Sequence, residues 1–320
     1  MNPGQKVPMA SMLNIPIVDA HHHFWDLSGG PLHYPWLHDP QPHEFFLGNY
    51  EPLKRNYLPA DYRRDSAGFN VVTTVHVEAE CDRNQQLAET RWLSELSASQ
   101  GLPGAIVAHA WFHTDNAAQV LEQQAQFPLV RGIRSKPVTA ATPTQMRRGL
   151  PGSMQDPKWL EGFRRLRRHK LSWDLRVPTW HLEEAAEVVA TEPDIPVVLN
   201  HTGFPWDRSP QGLQMWRRGM RALAAHPQVY CKLSCLCLPD GPWLASDNGP
   251  LVREAIDIFG IERCMFASNF PVDGLRISYR DMFEAFAQMT ADLSEGDRRA
   301  LFHDNACRFY RIEPAALAAS

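Results

Sequence analysis

Residues 17–26 read I-V-D-A-H-H-H-F-W-D, a β-branched start that runs directly into three consecutive histidines. Because side chains two residues apart on a strand share a face, the spacing predicts that His21 and His23 project together while His22 points the other way. Two imidazoles at the end of one strand can hold a metal ion or polarise a substrate oxygen. Taken alone, the stretch fits a histidine-rich turn equally well, so its meaning depends on the rest of the chain.

Eight short segments have the composition of buried strands, since they are rich in Val, Ile, Leu or aromatic residues and are bounded by Gly, Pro, Asp or Asn. The predicted strands cover residues 15–21, 71–79, 105–112, 129–135, 171–177, 195–202, 229–236 and 264–271. Helical patterns lie between most of them, with apolar residues at a spacing close to 3.6 and capping residues such as Asp156 before Pro157. The predicted helices cover residues 84–100, 116–127, 157–170, 182–190, 211–225, 251–259 and 282–293.

This alternation predicts an α/β fold with a parallel sheet. Eight strand–helix units fit the size of a single closed (β/α)8 TIM barrel, and the absence of a G-x-G-x-x-G after the first strand disfavours a doubly wound sheet. We expect residues 1–14 to form an N-terminal tail and residues 15–320 to form one barrel domain.

The connection between His23 and Val71 is unusually long for an ordinary barrel loop. Its aromatic residues argue against disorder; they are Tyr34, Trp36, Phe45, Phe46 and Tyr50. We expect a lid packed over the barrel mouth. The alternative is an insert that packs on the outer helices.

Composition excludes several classes of function. The formal net charge of the 320 residues is −4 and the pI is about 6.4, which argues against a nucleic-acid partner or a basic membrane face. No membrane span or secretory signal is visible. The six cysteines show no C-x-x-C pair, so we expect buried thiols and a cytoplasmic location. The partner expected is a small-molecule substrate, and a homo-oligomer stays open.

Active sites of TIM barrels lie at the carboxyl ends of the strands, and polar residues are concentrated there. They include Asp19, His21, His23, His76, Glu78, His109, Arg131, Arg134, Asp174, Arg176, His201, Lys232, Ser234, Asn269 and Asp273. Burying so many polar groups without partners is costly, so a wet, convergent pocket is the natural interpretation. Some of these residues could have a structural role instead of a role in the pocket. His76 could be a hydrogen-bonded core histidine, and Asp174 with Arg176 could be a structural ion pair.

Several motifs occur in one order along the chain. They are D-A-H-x-H-F-W-D, V-x-V-E-A, R-G-I-R, D-L-x-V, N-H-T-G, K-L-S, M-F-A-S-N-F-P-V and L-F-x-x-N-A-x-R-F-Y-R. From about residue 15 to 312 the chain resembles the amidohydrolase superfamily, in the amidohydrolase-related branch of TIM-barrel hydrolases. That branch includes sugar lactonases and the 2-pyrone-4,6-dicarboxylate lactonase.

The resemblance implies roles for individual residues. His21 and His23 match the strand-one pair, His201 matches the strand-six histidine, and Arg134 matches a binder of a substrate carboxylate or carbonyl. The strand-eight position, normally an aspartate that is metal ligand and general base, is Asn269 here. A neutral amide cannot take a proton from water and is a poorer ligand than a carboxylate.

Two hypotheses follow for the cofactor. In one, no metal is tightly bound, and Arg134, His201 and Lys232 polarise the substrate carbonyl. In the other, Zn²⁺ or another divalent ion binds His21, His23 and His201 and lowers the pKa of its own water. Asn269 tilts the choice slightly toward metal-free catalysis. Besides His201, the candidate catalytic residues are Asp273, Glu78 and Asp174.

The sequence thus predicts a carboxylic ester hydrolase that opens a lactone of a carboxylated or polyhydroxylated small molecule. Histidines and cations at one mouth supply a clamp for the carbonyl oxygen and a base for water. The candidate substrate-binding residues are Arg134, Arg176, Lys232, Asn269 and His76. The alternatives are a decarboxylase of the same superfamily and a non-catalytic small-molecule-binding barrel.

Overall fold

The computed structural model of the chain describes residues 15–40 and 45–313. Its eight strands form one sheet in the order β1 to β8, and each is parallel to the next. They are β1 (Ile17–His22), β2 (Val71–Val77), β3 (Ala105–His109), β4 (Val130–Arg134), β5 (Ser172–Leu175), β6 (Val197–Leu199), β7 (Val229–Leu233) and β8 (Cys264–Phe266).

Backbone hydrogen bonds bring the two ends of the sheet together beyond β8. The amide of His23 donates to the carbonyl of Phe270 at 2.8 Å, and the amide of Asn269 donates to the carbonyl of His21 at 2.7 Å. The sheet is therefore a nearly closed barrel, which confirms the predicted (β/α)8 fold. The predicted tail, residues 1–14, lies outside the described residues, so the domain boundary stays a prediction.

The helices are α1 (Pro35–His38), α2 (Pro59–Asp65), α3 (Gln86–Gln100), α4 (Ala117–Gln124), α5 (Pro157–Arg164), α6 (Leu166–His169), α7 (Leu182–Ala190), α8 (Pro210–Ala224), α9 (Ala245–Phe259), α10 (Tyr279–Met289), α11 (Glu295–Arg299) and α12 (Asn305–Tyr310). The helix predicted over 157–170 is split between α5 and α6. Its predicted start is confirmed, because the Asp156 carboxylate accepts from the Lys158 amide at 3.0 Å. Within the described chain, no helix is long and apolar enough to cross a bilayer.

Most strands end earlier than their composition predicts. Beyond the carboxyl ends of four strands the backbone enters the left-handed region, with φ of 60° at Glu80, 59° at His201, 50° at Cys235 and 54° at Asn269. Such conformations are costly for residues other than glycine and recur at functional sites. The chain therefore leaves the sheet abruptly at the edge where the active site of a barrel lies.

Two apolar layers surround the strands. The inner layer is built from small side chains such as Ala20, Val75 and Val107, and α12 closes it from below with Phe309 and Tyr310. The outer layer packs large residues between strands and helices and includes fully buried tryptophans. Since the apolar inner layer fills the lower barrel, the carboxyl end is left for polar groups.

The connection after β1 carries α1, α2 and a cluster of aromatic rings. The indole of Trp36 donates to the carbonyl of Ala79 at 2.9 Å, and its ring stacks on Phe45 with centroids 5.6 Å apart. Phe46 stacks on Trp206 at 5.4 Å. The described part of this connection is thus packed against loops at the carboxyl ends of the strands. Its role as a lid stays a prediction, and residues 41–44 lie outside the described chain.

Candidate active site

A cavity of about 330 Å³ opens at the carboxyl ends of the strands. Its volume is within the range of small-molecule sites. Polar groups from the strand ends form one side, and aromatic rings from the β1–β2 connection form the other. The lining residues are His23, Trp36, Phe45, Phe46, Ala79, Glu80, Arg134, Lys136, Arg176, His201, Asn269 and Val272.

A bulge in β1 turns His21 and His23 toward the interior of the barrel. Asp19 pairs with Thr74 but His22 pairs with His76, so β1 advances three residues while β2 advances two. Because of the extra residue, two consecutive residues, Ala20 and His21, both face the interior of the barrel. The Nε2 atoms of His21 and His23 lie 3.3 Å apart, as the sequence spacing predicts for a shared face.

Hydrogen bonds assign the protons of the two rings. His23 Nδ1 lies 2.7 Å from the Val77 carbonyl, which can only accept, so Nδ1 is protonated and Nε2 accepts from His21. The Lys232 ammonium lies 3.4 Å from His21 Nδ1 and can only donate. Donation therefore runs in one direction, from Lys232 through His21 and His23 to Val77. Burial and the Lys232 charge hold the pKa of His21 well below its usual range.

His201 completes the group of three histidines that the sequence singled out. It follows β6 directly, and its ring centroid lies 4.5 Å from that of His21. Its Nδ1 is 3.1 Å from Ser234 Oγ. Burial, together with Arg176 and Arg134, holds the pKa of His201 well below its usual range, so the imidazole is neutral near pH 7.

Beneath the histidines lies a fully buried ion pair. Lys232 Nζ is 2.5 Å from Asp174 Oδ1, and neither side chain is exposed. The Tyr310 hydroxyl donates to Asp174 at 3.1 Å, and the Asn200 amide donates to the same carboxylate at 3.1 Å. Asp174 is thus occupied by three donors, which removes it from the candidates for a free general base.

Arg134 and Glu78 form a second buried pair. Arg134 Nε donates to Glu78 Oε1 at 2.5 Å, and Nη2 donates to the Glu78 carbonyl at 2.6 Å. Burial alone would raise the pKa of Glu78, but Arg134 and His109 outweigh it and lower that pKa well below its usual range. Glu78 therefore orients the guanidinium. Its second oxygen, Oε2, accepts from the Glu80 amide at 2.9 Å, and Glu78 does not line the cavity, so it is not placed to take a proton from water there.

The mouth of the cavity carries three more charges. Glu80 and Lys136 form an ion pair; burial would raise the pKa of Glu80, yet Lys136 lowers it to about 2. The guanidinium of Arg176 lies 5.2 Å from the ring centroid of Phe204. Within the described chain Arg176 makes no hydrogen bond or ion pair. Glu80 and Lys136 are not among the predicted site residues, although each follows a predicted pocket residue, Glu78 or Arg134, by two positions.

Asn269 reaches the cavity, whereas Asp273 lies behind it. Asn269 Nδ2 donates to Asp273 Oδ1 at 2.7 Å. Burial raises the pKa of Asp273 to about 7. Since Asp273 is fully buried and does not line the cavity, it can act on a substrate only through its neighbour.

His76 is separated from the cavity. Its ring packs on His22 with centroids 5.6 Å apart, and Nε2 lies 3.4 Å from the Phe24 carbonyl. The prediction placed His76 among the substrate-binding residues, but the inward positions of β2 are Val75 and Val77. Glu78 reaches the interior because β2 has ended before it. A substrate contact of His76 thus has no geometric support.

The donor set fits a divalent cation poorly. Two ligands of tetrahedral zinc lie roughly 3.3–3.4 Å apart, and the Nε2 atoms of His21 and His23 match that spacing. However, His21 Nε2 carries a proton in the assignment above, and no carboxylate lines this corner to neutralise the ion. In residues 15–40 and 45–313, no group of three or more His, Cys, Asp or Glu side chains is arranged to hold a metal.

Comparisons with known proteins agree with this architecture. A family model described as Amidohydrolase matches residues 18–312. The protein y4mH of Sinorhizobium fredii, named only as uncharacterised, is 38% identical over 301 residues, which cover 94% of this chain and 100% of that protein. An L-fucono-1,5-lactonase of Burkholderia ambifaria is 27% identical over 303 residues, covering 92% of this chain and 96% of that protein.

A solved structure shows the same likeness. The zinc-bound crystal structure of an amidohydrolase from Burkholderia multivorans superposes with a TM-score of 0.75 at 26% identity. The superposition covers 93% of this chain and 99% of that chain.

Proposed function

This chain belongs to the amidohydrolase family, and on that premise we propose that it is a hydrolase that opens the lactone ring of a small carboxylated molecule. The observation that carries the proposal is the convergence of a neutral histidine, His201, and two arginines, Arg134 and Arg176, on one cavity. A lactonase among the curated relatives supports the reaction class.

Charge balance at the site favours an anionic substrate. Three of its four cations are matched by a carboxylate, in the pairs Arg134–Glu78, Lys136–Glu80 and Lys232–Asp174. Among residues 15–40 and 45–313 Arg176 has no such partner, and a largely buried cation without a counter-ion is costly. A substrate carboxylate would supply two oxygens in the geometry that a guanidinium fork binds best. We therefore assign Arg176 to a carboxylate on the lactone.

Arg134 is the group that polarises the lactone carbonyl in this proposal. Its Nε and Nη2 are held by Glu78, which leaves Nη1 directed away from that pair and available to the carbonyl oxygen. Because Glu78 fixes the guanidinium before substrate arrives, little reorganisation is needed as negative charge develops on the oxygen.

His201 is the base that we assign to water. When Nδ1 donates to Ser234, the Nε2 lone pair is left for a water molecule in the cavity. A neutral imidazole is the form that can accept a proton, and burial and the neighbouring cations keep His201 neutral. The proton taken from water can then pass to the alkoxide that leaves when the ring opens.

We propose that this hydrolysis needs no tightly bound metal. Two features of the donor set support this. The Lys232 ammonium lies beside His21, and residue 269 is a neutral amide at a position where a carboxylate would neutralise a cation. Elemental analysis of protein purified without added metal tests this part. Zinc at about one equivalent, lost with activity on chelation, would reject it.

The aromatic wall of the cavity supports a ring-shaped substrate. Trp36, Phe45 and Phe46 offer apolar faces opposite the charged strand ends. Such faces stack on a ring and exclude bulk water, which strengthens the hydrogen bonds on the polar side. In this proposal the connection after β1 acts as the lid.

The deciding experiment is a screen of carboxylated and neutral sugar lactones by acid release, with the wild-type chain and His201→Ala. His226→Ala is a matched control, because in the described chain His226 forms hydrogen bonds only through its backbone atoms. We expect the control to keep wild-type rates and His201→Ala to lose turnover. Release of CO₂ in place of a ring-opened acid would identify a decarboxylase instead.

A further inference from the structure

Asp273 is a buried carboxyl group that no step above uses. Its side chain is fully buried, and one oxygen, Oδ1, accepts from Asn269 Nδ2 at 2.7 Å. The other oxygen, Oδ2, has no hydrogen-bond partner within the described chain. No cation there forms an ion pair with it either. The Cys235 and Cys237 thiols and the Cys235 amide also stabilise the carboxylate, but burial outweighs them and raises its pKa. A buried carboxyl without a cationic partner is an expensive group to keep unless it has a task.

The backbone of Asn269 is fixed independently of that contact. Its amide donates to the His21 carbonyl at 2.7 Å, and its φ of 54° lies in the left-handed region that asparagine tolerates better than most residues. What the backbone leaves open is which end of the side-chain amide faces the cavity. The oxygen and the nitrogen offer opposite hydrogen-bonding character to a ligand.

Asp273 decides this orientation. A carboxylate can only accept, so it draws Nδ2 toward itself and turns Oδ1 of Asn269 toward the cavity. The observed contact has this orientation, since Nδ2 is the atom of the Asn269 amide that lies 2.7 Å from Asp273 Oδ1.

We propose that Asp273 is a positioning residue that holds Asn269 so that its amide oxygen accepts a hydrogen bond from the attacking water. The water then has two acceptors, His201 for the proton that it loses and Asn269 for the proton that it keeps, which aligns its lone pair with the carbonyl. This inference rests on the proposed function.

The arrangement also explains an amide at position 269 beside Arg176. A carboxylate there would accept a hydrogen bond equally well but would repel an anionic substrate. The negative charge is instead on Asp273, which contacts Asn269 from behind the cavity. The cavity wall therefore presents the amide oxygen of Asn269 as a hydrogen-bond acceptor without presenting a negative charge. The pair of Asn269 and Asp273 is therefore suited to a carboxylated lactone.

A double-mutant cycle tests the proposal at pH 8, where the Asp273 carboxyl is mostly ionised. We expect Asp273→Ala to lower kcat roughly 10- to 100-fold, the cost of a misaligned reactant, with KM changed much less. In an Asn269→Ala background the same substitution should add less than about 2-fold, because Asp273 acts through Asn269. Asp273→Asn, whose amide oxygen can still accept from Nδ2, should recover most of the rate. Equal losses in both backgrounds would overturn the proposal.

An activity-independent readout keeps the inference separate from the proposed reaction. In protein labelled with ¹⁵N-asparagine, the side-chain amide of Asn269, assigned by its disappearance in Asn269→Ala, should be shifted and protected from exchange with water. Asp273→Ala should remove both features. If no lactone is hydrolysed, these spectra still decide: an Asn269 amide unaffected by Asp273→Ala contradicts the positioning role, whatever the reaction is. Thermal unfolding of each variant checks that it is folded.

Discussion

The Lys232 ammonium lies 3.4 Å from Nδ1 of His21, on the side of the ring away from His23. Both residues are fully buried. Because an ammonium can only donate, it assigns the lone pair of His21 to Nδ1 and the proton to Nε2. A single lysine thus sets the hydrogen-bonding direction of a histidine pair whose spacing would otherwise suit a metal ion.

Removing this lysine should make the histidine pair a better metal site. We predict that Lys232→Met combined with Asp174→Asn, which avoids an unpaired buried carboxylate, binds Zn²⁺ at least about 10-fold more tightly than the wild type. Isothermal titration with zinc measures the change. The exposed pair Lys158–Asp115 supplies the matched control, Lys158→Met with Asp115→Asn. Equal zinc affinity in the wild type and the buried double variant would show that Lys232 does not govern the site.

Arg176→Gln should separate anionic from neutral substrates. Loss of the cation that pairs with the lactone carboxylate should lower kcat/KM about 30- to 1000-fold on a carboxylated lactone. On a neutral lactone the change should stay within about 3-fold, since no charge pair is lost. Steady-state kinetics on a matched substrate pair gives the ratio, and Arg148→Gln, at an exposed ion pair with Glu187, serves as control. Equal losses on both substrates would remove the carboxylate from Arg176.

The pH dependence of stability should report Asp273. Burial raises its pKa from 3.8 to about 7, so the native state binds this proton more tightly than the unfolded state does. Its contribution to stability is therefore full below about pH 3.8 and is lost as pH rises through 7. Relative to Asp273→Asn, the wild type should lose unfolding free energy between pH 4 and 7. A constant difference between the two proteins across urea titrations in this window would contradict the raised pKa.

The outer layer of the barrel should be sensitive to truncation at Trp159. This side chain is fully buried and packs on Trp173 with ring centroids 5.2 Å apart. Trp159→Ala should lower the free energy of unfolding by about 3–5 kcal/mol, the usual cost of deleting a buried tryptophan. Trp92→Ala, at a partly exposed position on α3, should cost clearly less. Denaturant unfolding measures both, and equal costs would mean that the layer repacks.

Sequence periodicity was sufficient for the fold because each strand of a parallel barrel is a short apolar run between turn residues. All eight strands were found, yet the one predicted over 195–202 is only Val197–Leu199. Composition carries no sign of the left-handed turn at His201, since that turn is imposed by the packing of the site. The short helices α1 and α2 were missed because aromatic contacts, not periodicity, hold their segment together.

The side chains of the candidate site were predictable only where residues two apart on a strand do face the same side. The Nε2 atoms of His21 and His23 lie 3.3 Å apart, as expected for a shared face, although a bulge in β1 is what turns both rings inward. The expected substrate contact of His76 has no such support, because Val75 and Val77 form the inward face of β2. The partners that decide reactivity, such as Lys232 for His21, come from distant strands, and their pairing follows from the closure of the barrel.

The most direct test of the account is pH-stat acid release from a carboxylated lactone by the wild-type chain and His201→Ala, both freed of metal by chelation. We predict that the metal-free wild type turns over and that His201→Ala, folded by circular dichroism, does not. A metal-free wild type without activity on any lactone would contradict metal-free lactone opening, and a His201→Ala variant that keeps its rate would contradict lactone opening at this cavity.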